Sequence, residues 1–460
     1  VFRKKEWEMK KRNQTESGQI IVIFAIALIA LLALTALAID GGMVYADRRH
    51  DQNVADAAAF AGGSAAAKVL EEGLAGMPAT SYHGSFECPA TNACGSIADP
   101  EQRHICLAMQ AARAAAQARA RENINLATQT ELETGLANDN GVEVSCVDND
   151  TSRSVMPDKY IQIEVRLTSQ TKTSFAHIVT GENTITNKVA AIVRVRPRQP
   201  FMGGNAIVAL KDTCSGKKDG VYFNTNKPVI VNYGGIFSNA CIEGKNKTEV
   251  NAPDGKILFG ISWNGVGDFN PEPEHTSGRM GKVPMPEIDC DALPVGKKDS
   301  KTGMHQPGTY TSLPKDAVLA PGLYCVKGGL KIPNGGIRGE GVTIYIPNGG
   351  IDINGGTNYL RAPTEQEASA GLQAGIAGLL IYLPESNDSG IKITGNPGSD
   401  FVGTIYAPSS AIRFSGNSNT DGYHTQFIGY IFEWDGTSSM TINYDQSMAY
   451  SSPAYLELFR

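Results

Sequence analysis

The sequence predicts three parts in series: an N-terminal transmembrane helix, a small α+β module, and a C-terminal all-β region of parallel β-helix (solenoid) type. Three observations predict this. An uncharged run occupies Ile20 to Ile39. Two alanine-rich helical patterns are followed by apolar/polar alternation. A tripartite strand pattern recurs through a glycine-rich second half.

Composition sets the bounds. With 460 residues the chain is long enough for about three domains. A net charge of -6 and a pI near 5.7 lack the basic stripe of a nucleic-acid binder, so no nucleic-acid partner is expected. Fifty glycines without a triplet period fit a turn-dense β protein rather than collagen.

The run Ile20 to Ile39 contains a single hydroxyl, Thr35. At 1.5 Å per residue it spans about 30 Å, the thickness of a bilayer hydrocarbon core. It is longer than a signal-peptide apolar segment, and Asp40-Gly41-Gly42 comes after it instead of a small-x-small cleavage site. Arg3, Lys4, Lys5, Lys10, Lys11 and Arg12 precede it. The positive-inside rule makes residues 1–19 a cytoplasmic tail and places the bulk of the chain outside the membrane, at the cell surface.

The cysteines agree with that topology. All eight (Cys88, Cys94, Cys106, Cys146, Cys214, Cys241, Cys290 and Cys325) lie after the span. An even number in an exported chain reads as disulfides, paired within the first four and within the last four. Cys214 with Cys241 and Cys290 with Cys325 are candidate pairs in the second group. A zinc site from His83, Cys88, Cys94, His104 and Cys106 is the competing reading, but the tight knuckle spacing is missing.

The module is expected over residues 40–200. Met43 to Leu70 has high helix propensity and continues the span outward after the Asp40-Gly41-Gly42 break, with Gly62 and Gly63 weakening its end. Val44, Val54, Ala58 and Ala61 share a stripe. The features Gly18-Gln19 before the span, Asp40-Gly41-Gly42 after it, and Gln52-Asn53 with Ala55-Asp56-Ala57-Ala58-Ala59 resemble the N-terminal segment of TadG-like proteins. These belong to tight-adherence (Flp-type) pilus assembly, and the resemblance covers residues 17–66. It implies a single-pass, pilin-like protein whose partners are the membrane and other pilus-assembly or pilin-like proteins. It brings no catalytic residue. Prepilin-peptidase processing is not expected, because no Glu stands at the required distance after Gly18. An integrin-like Asp-x-Ser-x-Ser metal loop, carried by some family members, is not expected either.

Beyond a loop, residues 101–125 form a second helix with Ile105, Met109, Ala112 and Ala116 on one face. Val142-x-Val144-x-Cys146, the stretch Tyr160 to Leu167, and Val189 to Val195 alternate as half-buried strands. Thr173 to Val179 could add a short helix carrying a lone His177.

Arg196 to Pro200 marks a boundary, and the β region is expected over 201–460. Ile344-Tyr345-Ile346-Pro347 precedes Ile351-Asp352-Ile353-Asn354-Gly355. Ile381-Tyr382-Leu383-Pro384 precedes Ile391-Lys392-Ile393-Thr394-Gly395, and Ile405-Tyr406-Ala407-Pro408 precedes Ile412-Arg413-Phe414-Ser415-Gly416. Weaker copies begin at Val221, Leu323 and Tyr430. Pro cannot extend a ladder and Gly permits a corner, so each copy reads as a two-strand coil whose stacking buries an apolar column. Ile351, Ile391 and Ile412 should stack inward, as should Ile353, Ile393 and Phe414. Asp352, Lys392 and Arg413 should form an outward ladder. An antiparallel sandwich is the competing reading. The stretch 256–312 is expected to be an excursion, and Thr357 to Ala377 a bulging insert.

A β-helix can carry an enzyme site. No nucleophile elbow, zinc-protease motif, phosphate loop or dinucleotide fingerprint occurs, so no catalytic residue and no cofactor is expected. Glu433-Trp434-Asp435 is a candidate ligand contact, with Trp434 stacking on a sugar of a surface polysaccharide, or with Glu433 and Asp435 holding calcium. Asn246 and Asn387 begin glycosylation-acceptor triplets. The structural reading is a membrane-anchored pilus or adhesion component. The alternative is a cell-surface carbohydrate-binding or carbohydrate-active protein.

Overall fold

The computed structural model describes residues 17–72, 86–123, 133–134, 140–150, 158–176, 178, 181–216, 218–333, 335–395, 398–416, 422–436 and 439–459. The basic tail, His83, His177 and the side chain of Asn246 lie outside the described residues.

Helix α1, Ser17–Glu72, runs unbroken for 56 residues. Asp40-Gly41-Gly42 therefore does not interrupt it, and Gly62-Gly63 lie within it rather than weakening its end. The segment Ile21–Glu71 is long and apolar enough to cross a membrane, and none of its most apolar window is buried among the described residues. The second half of α1 is different. Val54, Ala55, Ala58, Ala59, Ala66 and Leu70 are buried. They meet Ile105, Ala108, Met109, Ala112, Ala116 and Ala120 of helix α2, Pro100–Asn123. Val44 and Ala61 of the expected stripe are only half-buried. Small side chains on both helices bring the two backbones close. A Cβ on Gly62 would stand 2.9 Å from the Ala112 carbonyl oxygen and 3.0 Å from Ala116 Cβ. One on Gly63 would meet Leu456 and Val193. These glycines are where the helix touches α2 and the sheet.

That sheet has five strands in the order Glu133–Thr134, Gly141–Asp150, Asp158–Lys172, Thr184–Arg196 and Tyr455–Phe459. All neighbours are antiparallel except the first pair. Val142, Val144, Ile161, Ile163, Val165, Leu167, Val189, Ala191, Val193 and Val195 face the helices, which is the alternation expected of half-buried strands. The last strand comes from the far end of the chain. The module thus includes residues beyond the expected 40–200.

The second region is a 21-stranded sheet whose strands pair in parallel. Ile351 pairs with Ile391 and Ile391 with Ile412; Ile353, Ile393 and Phe414 pair likewise, all of them buried. Asp352, Lys392 and Arg413 form the adjacent outward column. Two features differ from the expectation. First, the parallel pairings fall into three sets of strands, not two. Ala317–Leu319, Ile337–Gly339, Tyr359–Arg361 and residues 400–402 form the third set. They are short and carry outward Arg338, Tyr359 and Asp400, so they show little apolar signal. Second, two weak copies are one strand out of phase. Phe432 and Trp434 pair with Val221 and Phe223, and Phe427, not Tyr430, continues the Ile344, Ile381, Ile405 column.

The order in which strands pair is not the chain order. Strands from Asn205–Ala209 onward wind outward to Glu274–His275. Strands from Gly308–Tyr310 onward start elsewhere and wind back until residues 425–435 lie on residues 207–209 and 221–224. The two ends of the region meet in its interior. The stretch 256–312 is therefore not one excursion: Ile257–Phe259, Ser262–Asn270 and Glu274–His275 belong to the sheet. Past His275 the chain forms a strap over an outward column of Tyr345, Tyr382 and Tyr406, whose rings stack at 5.2 and 6.0 Å. Met280 exchanges backbone hydrogen bonds with the Asn239 side chain, and the Tyr406 hydroxyl bridges Val283 N and O at 2.8 and 2.9 Å. Ile288 is buried against the same cluster. The expected insert Thr357 to Ala377 is part strand, part helix: Tyr359–Arg361 pairs in the sheet, and Glu365–Ala368 is a helical turn capped by Thr364 and Glu367.

The inner column is large. Tyr324, Ile344, Ile381, Ile405, Phe427, Ile207, Ile236 and Ile257 succeed one another along one face, all fully buried. At about 25 cal/mol per Å² of apolar surface, burial of columns like this one is a principal source of the region's stability. The two regions meet at Arg198, whose guanidinium reaches Glu71 at 2.5 Å, Glu365 at 2.6 Å and the Ser451 hydroxyl at 2.9 Å.

Candidate functional site

Among the described residues no group of His, Cys, Asp and Glu could hold a metal ion. The sequence-level zinc reading fails on its ligands: Cys88 is bonded to Cys146 and Cys94 to Cys106. Cys214 pairs with Cys241 and Cys290 with Cys325. The grouping by halves holds, and Cys290–Cys325 ties the strap to the edge of the tyrosine column. Four bridges with no free thiol fit an oxidising compartment.

Glu433-Trp434-Asp435 is not a ligand contact of the kind expected. Trp434 is 1% exposed, its ring stacked on Phe414 at 5.8 Å, so it cannot stack on a sugar. Glu433 is buried between Lys218 and Arg413, the latter at 3.1 Å. The hydrogen bond to Glu433 raises the Lys218 ammonium above its ordinary range. A carboxylate neutralised by two cations is poorly disposed to bind calcium. Asp435 accepts a hydrogen bond from Asn224 Nδ2 at 3.1 Å. Arg413, which stands next to Lys392 in the outward ladder, is paired with this same Glu433. Strand alternation would have shown the burial of Trp434, which holds the position of Phe414 one circuit on. Asn387 is buried and donates to the carbonyls of Ile346 and Gly349, so it is not an open glycosylation acceptor.

One sequence-level expectation is corrected by the sequence itself. Asp150-Thr151-Ser152-Arg153-Ser154 does have the Asp-x-Ser-x-Ser pattern. It connects the strands Gly141–Asp150 and Asp158–Lys172, and residues 151–157 lie outside the described residues.

The remaining candidate is α1 itself. Ile21 to Ile39 present apolar side chains on every side, with Ile21, Phe24, Ile29, Leu34 and Leu37 all strongly exposed. A helix apolar all round is a core helix or a membrane span, and nothing among the described residues covers this one. At Asp40 the environment changes. Asp40 is 2% exposed, and its carboxylate accepts backbone N–H bonds from Ser174 and Phe175 at 2.8 Å and from Ala176. Immediately beyond it, Gly41 and Gly42 face open space. Further along, Gln52 Nε2 donates to Asp56 Oδ1 and to the Ala190 carbonyl, each at 2.9 Å, while the Ser169 hydroxyl donates to Asp51. Asn53 is exposed; Ala55 is buried and Asp56 half-buried. Gly18, Gln19 and Ile20 lie in the first turn of α1, their side chains outside the described residues. The family-like motif thus divides by place: the alanines pack inside the module, Asp40 and Gln52 fasten helix to hairpin, and Gly41 and Gly42 lie open.

Residues 18–67 match the family model described as putative Flp pilus-assembly TadE/G-like. The match spans the apolar run, Asp40-Gly41-Gly42 and the alanine face of α1, as the sequence resemblance implied. No curated protein and no solved structure matches the chain.

Proposed function

We propose that the chain is a single-pass, membrane-anchored structural component of a Tad/Flp-type pilus or surface-adhesion apparatus. Its N-terminus is cytoplasmic, its α+β module is pilin-like, and its second region is an extracytoplasmic β-solenoid. The protein acts by assembly and contact, not by catalysis. One observation carries this reading: a single helix, α1, is bare and apolar in its first half and buried in a folded module in its second, within the segment that matches the family model. The continuous rod couples whatever the lipid-embedded half contacts to the exported mass. The four disulfides and the three-strand parallel stacking support the outside placement and the solenoid reading respectively.

The carbohydrate alternative loses its named residues with the burial of Trp434 and Glu433. Contact with a surface polysaccharide or a neighbouring pilus protein would use the outward polar columns.

The test is topology in cells. Protease added to intact spheroplasts should digest the β region while a tag before residue 17 survives, and carbonate washing should leave the chain in the membrane fraction. A chain recovered in the cytosol with alkylatable thiols would overturn the proposal.

A further inference from the structure

We propose that the tip of the hairpin formed by Asp158–Lys172 and Thr184–Arg196 is a second membrane contact, with Phe175 and Ile178 resting in the interfacial layer of the bilayer beside α1. This rests on the membrane-anchor reading of α1.

The argument is one of level. Ser169 hydrogen-bonds to Asp51, and the amides of Ser174 to Ala176 bond to Asp40. Eleven helical residues at 1.5 Å and five strand residues at 3.3 Å both cover about 16 Å. Hairpin and helix therefore descend together, and the tip arrives level with Asp40. Asp40 is one residue past Ile39, the end of the apolar run. If that run fills the hydrocarbon core, the tip lies at its polar boundary.

The tip carries the side chains suited to that boundary. Ile178 is 75% exposed and Phe175 42% exposed, and neither belongs to an apolar cluster among the described residues. Tyr45, 69% exposed on α1, lies a little farther out, where aromatic residues concentrate at membrane interfaces. Lys172 is exposed beside the tip, as a cation among headgroups would be. Asp40 has a clear role here. Its carboxylate occupies three backbone N–H groups that would otherwise meet the membrane unsatisfied, and it fixes the tip against the anchor. The occupant is thus a lipid surface, continuous with the one α1 crosses.

The full chain, reconstituted in phosphatidylcholine/phosphatidylglycerol vesicles, tests this. All eight native cysteines are in disulfides, so an added cysteine is the sole thiol for a nitroxide label. L31C reports the hydrocarbon core and V266C, 73% exposed in the β region, reports water. Collision with oxygen relative to a nickel chelate should place I178C between them, at least threefold above V266C. D40A should move the I178C value toward water and leave L31C unchanged. If I178C matches V266C while L31C reads hydrocarbon, the second contact is wrong and the anchor stands. If L31C also reads water, the anchor reading falls and this proposal with it.

Discussion

The two folded regions solve the same burial problem with opposite side chains. In the module α1 and α2 meet through Ala55, Ala58, Ala59, Gly62, Ala112 and Ala116, so closeness of backbones does the work. In the β region the backbones of paired strands are held at ladder spacing, and the core between them is filled by Phe414, Phe427, Phe432, Trp434 and isoleucines. Helices can approach until side chains forbid it, whereas strands in a ladder cannot. The helical interface therefore tolerates no enlargement and the β column no reduction.

That contrast can be broken at three places. Trp434→Ala should cost the β region about 3–5 kcal/mol, since a large side chain leaves the centre of a packed column. Denaturant unfolding followed by near-ultraviolet circular dichroism measures it; a loss under about 1 kcal/mol would mean the column is not close-packed. Gly62→Val should cost about 1–3 kcal/mol by overpacking against Ala112 and Ala116. Hydrogen exchange should rise in α2 and in 158–167 while the inner β column keeps its protection. A neutral result would show that the helices can part at little cost.

The third effect is the smallest and concerns pH. The hydrogen bond from Arg361, helped by the Thr364 backbone and the charge of Arg361, holds the Glu367 carboxyl down at about 2, against burial. A carboxyl depressed on folding gives stability that is present above its ordinary value near 4.5 and lost as pH falls through 2. The capped turn Glu365–Ala368 should therefore loosen between those values, and Glu367→Gln should abolish that step. Amide exchange of residues 364–369 across the interval reads it; an unchanged profile in the variant would remove Glu367 as the cause. The group is partly solvated, so the effect on global stability stays small.

Much of this was legible because it is periodic. The span, the α2 face, the strand alternation and the three strong repeats each depend on residues close in sequence, and the Ile351, Ile391, Ile412 register came from aligning them. What escaped depends on residues far apart. Nothing local in Tyr455–Phe459 announces that it will lie beside Thr184–Arg196, because one strand does not name its neighbour. The junction of residues 425–435 with 207–224 requires knowing that the strap crosses the region before winding restarts. A two-strand template fitted to three sets of paired strands also settles in the wrong phase wherever the signal is weak, which displaced the copies at Val221 and Tyr430. At the candidate site, the indole chemistry of Trp434 suggested a sugar, while its place in the alternation already turned it inward. Asp40 is recognisable as part of a motif, but its partners lie more than 130 residues away.

The closing strand of the module has a mechanical meaning. Because Tyr455–Phe459 returns to the sheet that holds α1, the β region is fastened to its base at both Gln199–Pro200 and Ser451–Ser452, which pair with each other. Tension applied to the distal mass would load two chains side by side rather than one linker. An object so tethered resists swivelling and transmits a pull straight into α1.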